Sequence, residues 1–175
     1  STPNAGPHGW FAQAMWQQVA VTDAWYESTR GAAGQGRAAT GRDTLARAIL
    51  TAADRLLERF PDHAQSADLM WRQGNLSFAH GWLDVSAQQF GRLATRHPRD
   101  KRAPRAAILR ADAIFRLGRF DAAGGAYEEA LAAARQAGAD SLMRRAERAI
   151  PVAYYRHAES AVAEDSSRFE RQLAR

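Results

Sequence analysis

With no cysteine in the chain, histidine is the side chain best suited to metal or acid–base chemistry, and there are five: His8, His63, His80, His97 and His157. A zinc site on a helix needs two ligands one turn apart, as in H-E-x-x-H, and no pair of these histidines has that spacing. Most fall at the ends of predicted helices, and a histidine at a helix C-terminus, as His80 and His97 are, is favoured by the dipole without any chemical role. The absence of cysteine also removes a disulfide scaffold and a thiol nucleophile. Glu128-Glu129 and Glu164-Asp165 are adjacent in sequence, so on helices each pair diverges instead of converging on one substrate. Gly34-Gln35-Gly36 lacks the G-K-[ST] of a phosphate loop and follows a helical pattern, not a strand. No Ser–His–Asp set is paired by spacing. These residues predict a non-enzyme with no metal and no cofactor.

The remaining chemistry is arginine chemistry. The formal charge is +5, and Lys101 is the only lysine. Arg92, Arg96, Arg99, Lys101, Arg102 and Arg105 crowd one predicted turn, and Arg144, Arg145 and Arg148 form a second group. Aromatic residues are not interleaved with them as in single-strand nucleic-acid readers, so an acidic protein or anionic headgroups fit at least as well as nucleic acid, and simple solvation of helix faces accounts for the rest.

The elements that would position these groups are helical. Alanine is abundant and β-branched residues are scarce, which favours helix over sheet. No run of about 18 apolar residues is present to span a membrane. Residues 1–9 read as a flexible lead-in and lack the basic and apolar regions of an intact signal peptide. From residue 10 to 28 the pattern is helical, and Arg30 to Gly41 is a Gly/Ala-rich loop before a helix over 43–60.

A repeat then appears. Pro61 and Pro98 are 37 residues apart, and so are the turns Gly81-Trp82-Leu83 and Gly118-Arg119-Phe120. The period reads as helix–turn–helix, with a helix over 67–79, a capping glycine at 81 and a second helix capped by Asp84 that stops before Pro98. In the next period Pro104 sits at a helix start, Gly118 is the turn and Asp121 the cap. Gly124 and Gly125 lie inside the second helix, where each costs about 1 kcal/mol relative to alanine. Replacing both with alanine is therefore expected to stabilise the chain. Residues 140–164 read as helix, kinked or restarted at Pro151, with another helix starting near Ser166. No closing helix is evident, so the pattern expects the chain to continue or to dock on a partner.

The residues that recur resemble those of tetratricopeptide repeats, whose motif is a hairpin of two helices. Gly74, Gly81, Phe90 and Pro98 match in one unit. Ala111, Gly118, Ala123, Tyr127 and Ala130 match in the next. The three extra residues per period, and the FP-D and HP-RD endings, are similar to repeats of periplasmic proteins attached to the outer membrane. The match covers residues 43–134. It departs from the motif at Trp71, Gln73 and Ser77, and no proline closes the second unit. The resemblance implies an all-α, right-handed solenoid of three to four antiparallel hairpins near 10–60, 64–98, 102–137 and 140–175. These form one domain over 10–175.

Such a stack displays its first helices on a concave side, implying a groove for a partner's peptide or helix. In the repeat register Asp68, Trp71, Asn75, Phe78, Arg105, Ile108, Asp112, Phe115 and Arg116 fall on groove positions. Trp71, Phe78, Ile108 and Phe115 also fit a stacked core. The expected role is a protein–protein adaptor of the periplasm or outer membrane, with any membrane contact made through a partner or a removed anchor. The alternative is a permanent structural subunit of a larger assembly. It rests on the aromatic N-terminal helix, where Trp10, Trp16, Trp25 and Tyr26 need burial against something.

Overall fold

The computed structural model describes residues 13, 14, 16, 17, 19, 20 and 37–173. Among these residues it is all-helical and contains no strand. Six helices follow in order: α1 (Arg37–Arg59), α2 (Ser66–Ala79), α3 (Leu83–Arg96), α4 (Ala103–Arg116), α5 (Phe120–Gln136) and α6 (Asp140–Leu173). The chain divides into two compact units, Ser1–Leu69 and Met70–Arg175, where one domain over 10–175 is expected.

In the first unit, α1 begins six residues before the expected start at 43. Ala38 and Ala39 favour helix strongly enough to extend it into the stretch read as a loop. Residues 30–36 of that stretch lie outside the described residues. Ala46, Ile49, Leu50, Ala53, Leu56 and Leu57 are buried at helical spacing and form the inward stripe of α1.

The backbone carries the repeat from Ser66 onward. Helices α2, α4 and α6 begin at Ser66, Ala103 and Asp140, each 37 residues after the last. At the α2–α3 turn the Gly81 N–H donates to the Phe78 carbonyl at 3.2 Å, and the Trp82 N–H to the Ser77 carbonyl at 2.9 Å. At the α4–α5 turn Gly118 donates to Phe115 at 3.0 Å and Arg119 to Ile114 at 3.3 Å. The 6→1 bonds define Schellman closures, which need a residue in the left-handed region; Gly81 and Gly118 have φ of +73° and +75°. A third closure surrounds Gly138, φ +64°, where Ala139 donates to the Ala134 carbonyl at 2.9 Å. It joins α5 to α6 without the proline turn that separates α3 from α4.

Asp84 and Asp121 are not N-caps. Trp82 and Arg119 occupy those positions without a side-chain cap bond, and both acids lie in the first helical turn. A carboxylate there still complements the helix dipole. Asp84 also pairs with Arg119 at 3.0 Å.

The expected fourth hairpin over 140–175 is one helix of 34 residues that runs through Pro151. The 37-residue offset explains why no turn forms. Tyr155 stands where Gly81 and Gly118 turn, and a bulky side chain disfavours the left-handed backbone. Glu164 stands where Phe90 and Tyr127 are buried, so a folded-back helix would bring a carboxylate into its core.

Packing within the second unit is close and alanine-rich. Helix α3 packs on α4, α4 on α5 and α5 on α6. Ala111, Ala123, Ala126, Tyr127 and Ala153 form one buried cluster; Ala107, Ile108, Ala130 and Ala146 form another. The first repeat is more polar inside. Gln73, Ser77, Ser86 and Gln89 are all buried, and the Ser86 hydroxyl donates to the Gly74 carbonyl at 3.0 Å.

The glycines in these helices differ sharply. A Cβ on Gly74 would sit 2.6 Å from the Phe90 ring, which is fully buried and has nowhere to go. On Gly124 it would meet the Tyr154 ring at 2.7 Å, whereas on Gly125 it would meet nothing within 4 Å. The two adjacent glycines are therefore not equivalent, and only Gly125 has open space for an added methyl group. In urea unfolding, Gly125→Ala should stabilise by about 1 kcal/mol. Gly74→Ala should destabilise by about 1–3 kcal/mol. Gly124→Ala should show its helix-propensity gain only when Tyr154→Ala removes the obstructing ring, which a double-mutant cycle will read.

Candidate functional site

The expected groove residues come from first helices of the repeat. Trp71, Asn75 and Phe78 stand at i, i+4 and i+7 on α2; Arg105, Asp112 and Arg116 stand at i, i+7 and i+11 on α4. These spacings place each set on one helix face. The two faces interlock through cation–π contacts. The Arg116 guanidinium lies 4.5 Å from the Phe78 ring centroid, and Arg105 lies 5.7 Å from that of Trp71. Arg102 approaches Trp71 from the preceding turn at 6.0 Å. Beneath, the Trp71 ring meets Phe90 edge-on at 5.6 Å, which ties this face to the core.

Beside the Arg116–Phe78 contact is an open cavity of about 280 Å³, lined by Phe78, Leu109, Asp112, Phe115, Arg116, Tyr127 and Arg145. Its polar wall is one connected network. The Tyr127 hydroxyl donates to Asp112 Oδ1 at 2.7 Å, and Arg145 from α6 donates to Asp112 Oδ2. Burial, then the Asp112 bond, pushes the Tyr127 phenol well above its ordinary pKa, so it stays a neutral donor. Both Asp112 oxygens are thereby engaged. The wall presents a satisfied carboxylate flanked by two arginines and apolar rings, which suits recognition of a polar chain with an apolar anchor.

The nine expected positions divide under this geometry. Phe78, Asp112, Phe115 and Arg116 line the cavity; Trp71 and Arg105 form the neighbouring contact. Phe115 also supports the core, with its ring edge-on to Phe120 at 5.1 Å. Ile108 does not belong to the groove: it is fully buried among Ala107, Ala130 and Ala146, because its short first-helix neighbours let α4 sink against α5 and α6. The Asn75 amide turns back to its own helix and donates to the Trp71 carbonyl at 2.7 Å. Asp68 is exposed in the first turn of α2. Of the aromatic N-terminal set, Trp16 is half-buried with its ring centroid 6.0 Å from that of His63. Trp10, Trp25 and Tyr26 lie outside the described residues.

Leu109, Tyr127 and Arg145 complete the cavity without having been expected there. Arg145 had a readable signal, because it stands 37 residues after Ile108 and 74 after Trp71. The arginine-rich turn is also less free than its composition suggests. Asp100 accepts the Arg102 backbone N–H at 2.8 Å and its guanidinium at 2.7 and 2.9 Å.

Among the described residues no group of three or more His, Cys, Asp or Glu side chains could hold a metal ion. No described helix is long and apolar enough to cross a membrane. No protein-family model matches the chain, and no curated protein matches it.

The Arg102 side chain, followed by its backbone N–H and charge, holds the Asp100 carboxyl at about 2 against partial burial. A carboxyl pKa depressed in the folded state contributes stability above its unfolded value near 3.8, and that contribution disappears as pH falls toward 2. Asp100→Asn should therefore cost about 1 kcal/mol at pH 7 and little at pH 2. Urea midpoints measured across that range for both proteins will check this.

Proposed function

We propose that the chain is a non-catalytic interaction module, a right-handed solenoid of the tetratricopeptide type that holds a partner's peptide or helix along the faces of α2 and α4. The observation that carries the reading is the Arg116–Phe78 contact at the mouth of the Asp112–Tyr127–Arg145 cavity. It presents a half-buried aromatic anchor and oriented guanidinium donors on helices, and aromatic and arginine side chains dominate the energetics of protein recognition. The 37-residue recurrence of helix starts and turn bonds supports the repeat assignment. The envelope setting rests on the resemblance of the three extra residues per period and the FP-D and HP-RD endings.

Selection of peptides from a random library on the purified chain, followed by calorimetry, tests the proposal. Phe78→Ala and Arg116→Ala should each weaken a selected peptide by tenfold or more, about 1.4 kcal/mol. Arg135→Ala, remote from the cavity, should leave it unchanged. Selected peptides indifferent to both groove substitutions would sink the assignment. Recovery of the chain only in a stoichiometric complex stable at high salt would favour the permanent-subunit role instead.

A further inference from the structure

Helix α6 leaves bare the face that α2 and α4 cover. Arg148 occupies the repeat position of Gly74, which receives Phe90 from α3, and of Ala111, which clusters with Tyr127 from α5. On α6 the corresponding face is uncovered among the described residues. Val152, Tyr155 and Val162 continue this face at helical spacing, and they are 49%, 64% and 67% exposed. Its opposite side, through Ala146 and Ala153, is the one buried against the rest of the unit.

We propose that this face pairs with the same face of a second copy of the chain, α6 against α6, antiparallel about a two-fold axis between Val152 and Tyr155. Each α6 then covers the exposed stripe of the other. The charges are arranged for that symmetry. Arg144 and Arg148 lie on the N-terminal half of the face and Glu159 on the C-terminal half. An axis near residues 153–154 sets Arg148 opposite Glu159 of the partner subunit and Tyr155 against Val152 of the partner subunit. Such an isologous contact forms twice at once. Within its own helix Glu159 accepts from Arg156 at 3.1 Å and from the Tyr155 hydroxyl, exposed contacts that are weak in water and readily exchanged. Repulsion between two chains of charge +5 is largely screened at physiological salt.

Sedimentation of the 175-residue chain in physiological salt should show a reversible monomer–dimer equilibrium in the micromolar range. Tyr155→Glu and Val162→Glu should each raise the dissociation constant at least tenfold while helical circular dichroism is unchanged. The two sites are independent, so one folded variant suffices. Arg148→Glu should also weaken the dimer, and adding Glu159→Arg should restore it, since the two-fold axis swaps the pair. A monomer at every concentration would overturn the proposal. So would a dimer indifferent to both stripe substitutions, or one that the charge swap fails to restore.

Discussion

A hairpin of two helices needs one residue that can leave the right-handed helix, and the placement of that residue governs this chain. Gly81 and Gly118 adopt positive φ and let their own amide and the one after it cap the helix behind them. Only then can α3 fold back on α2 and α5 on α4. Where position 155 carries tyrosine, the same closure is disfavoured and α6 runs on. Two hairpins and one long helix thus follow from the residue at three equivalent positions. Gly138 adds a closure at a different place and sets the direction of α6.

Once the turns are made, small residues decide how near the helices come. Gly74 admits the Phe90 ring, Gly124 admits Tyr154, and an alanine seam brings α4, α5 and α6 together. Close approach maximises dispersion contacts in a core with few large side chains. It also has a functional consequence. Because Ile108 is drawn fully inside, the surface between α2 and α4 is left to the longer side chains, and arginines stack on aromatic rings. The face between α2 and α4 is what remains after the alanines have set the spacing.

Charge plays a positioning role here more than a solvating one. Arg102 is held by Asp100, Arg145 by Asp112 and Arg119 by Asp84. Read as composition, the arginines suggest a diffuse basic patch. Placed in the fold, several are oriented donors with defined partners. A guanidinium held by a carboxylate presents its remaining donors in a fixed direction.

The period, the turn glycines and the helical class were legible in the sequence because they are local: φ preference, helix propensity and spacing act within a few residues. Even the loss of the last turn was encoded in Tyr155 and Glu164, readable once the 37-residue offset is applied a second time. The side of each helix that meets its neighbours was less legible. Ile108 and Trp71 share a register position, yet one is core and the other surface, because burial depends on the volume of residues facing it from α5 and α6. The same limit hid the difference between Gly124 and Gly125, which only the ring of Tyr154 distinguishes. The sequence by itself determined where the chain turns. The tertiary structure decided which side chains face outward, since that depends on contacts between residues far apart in the chain.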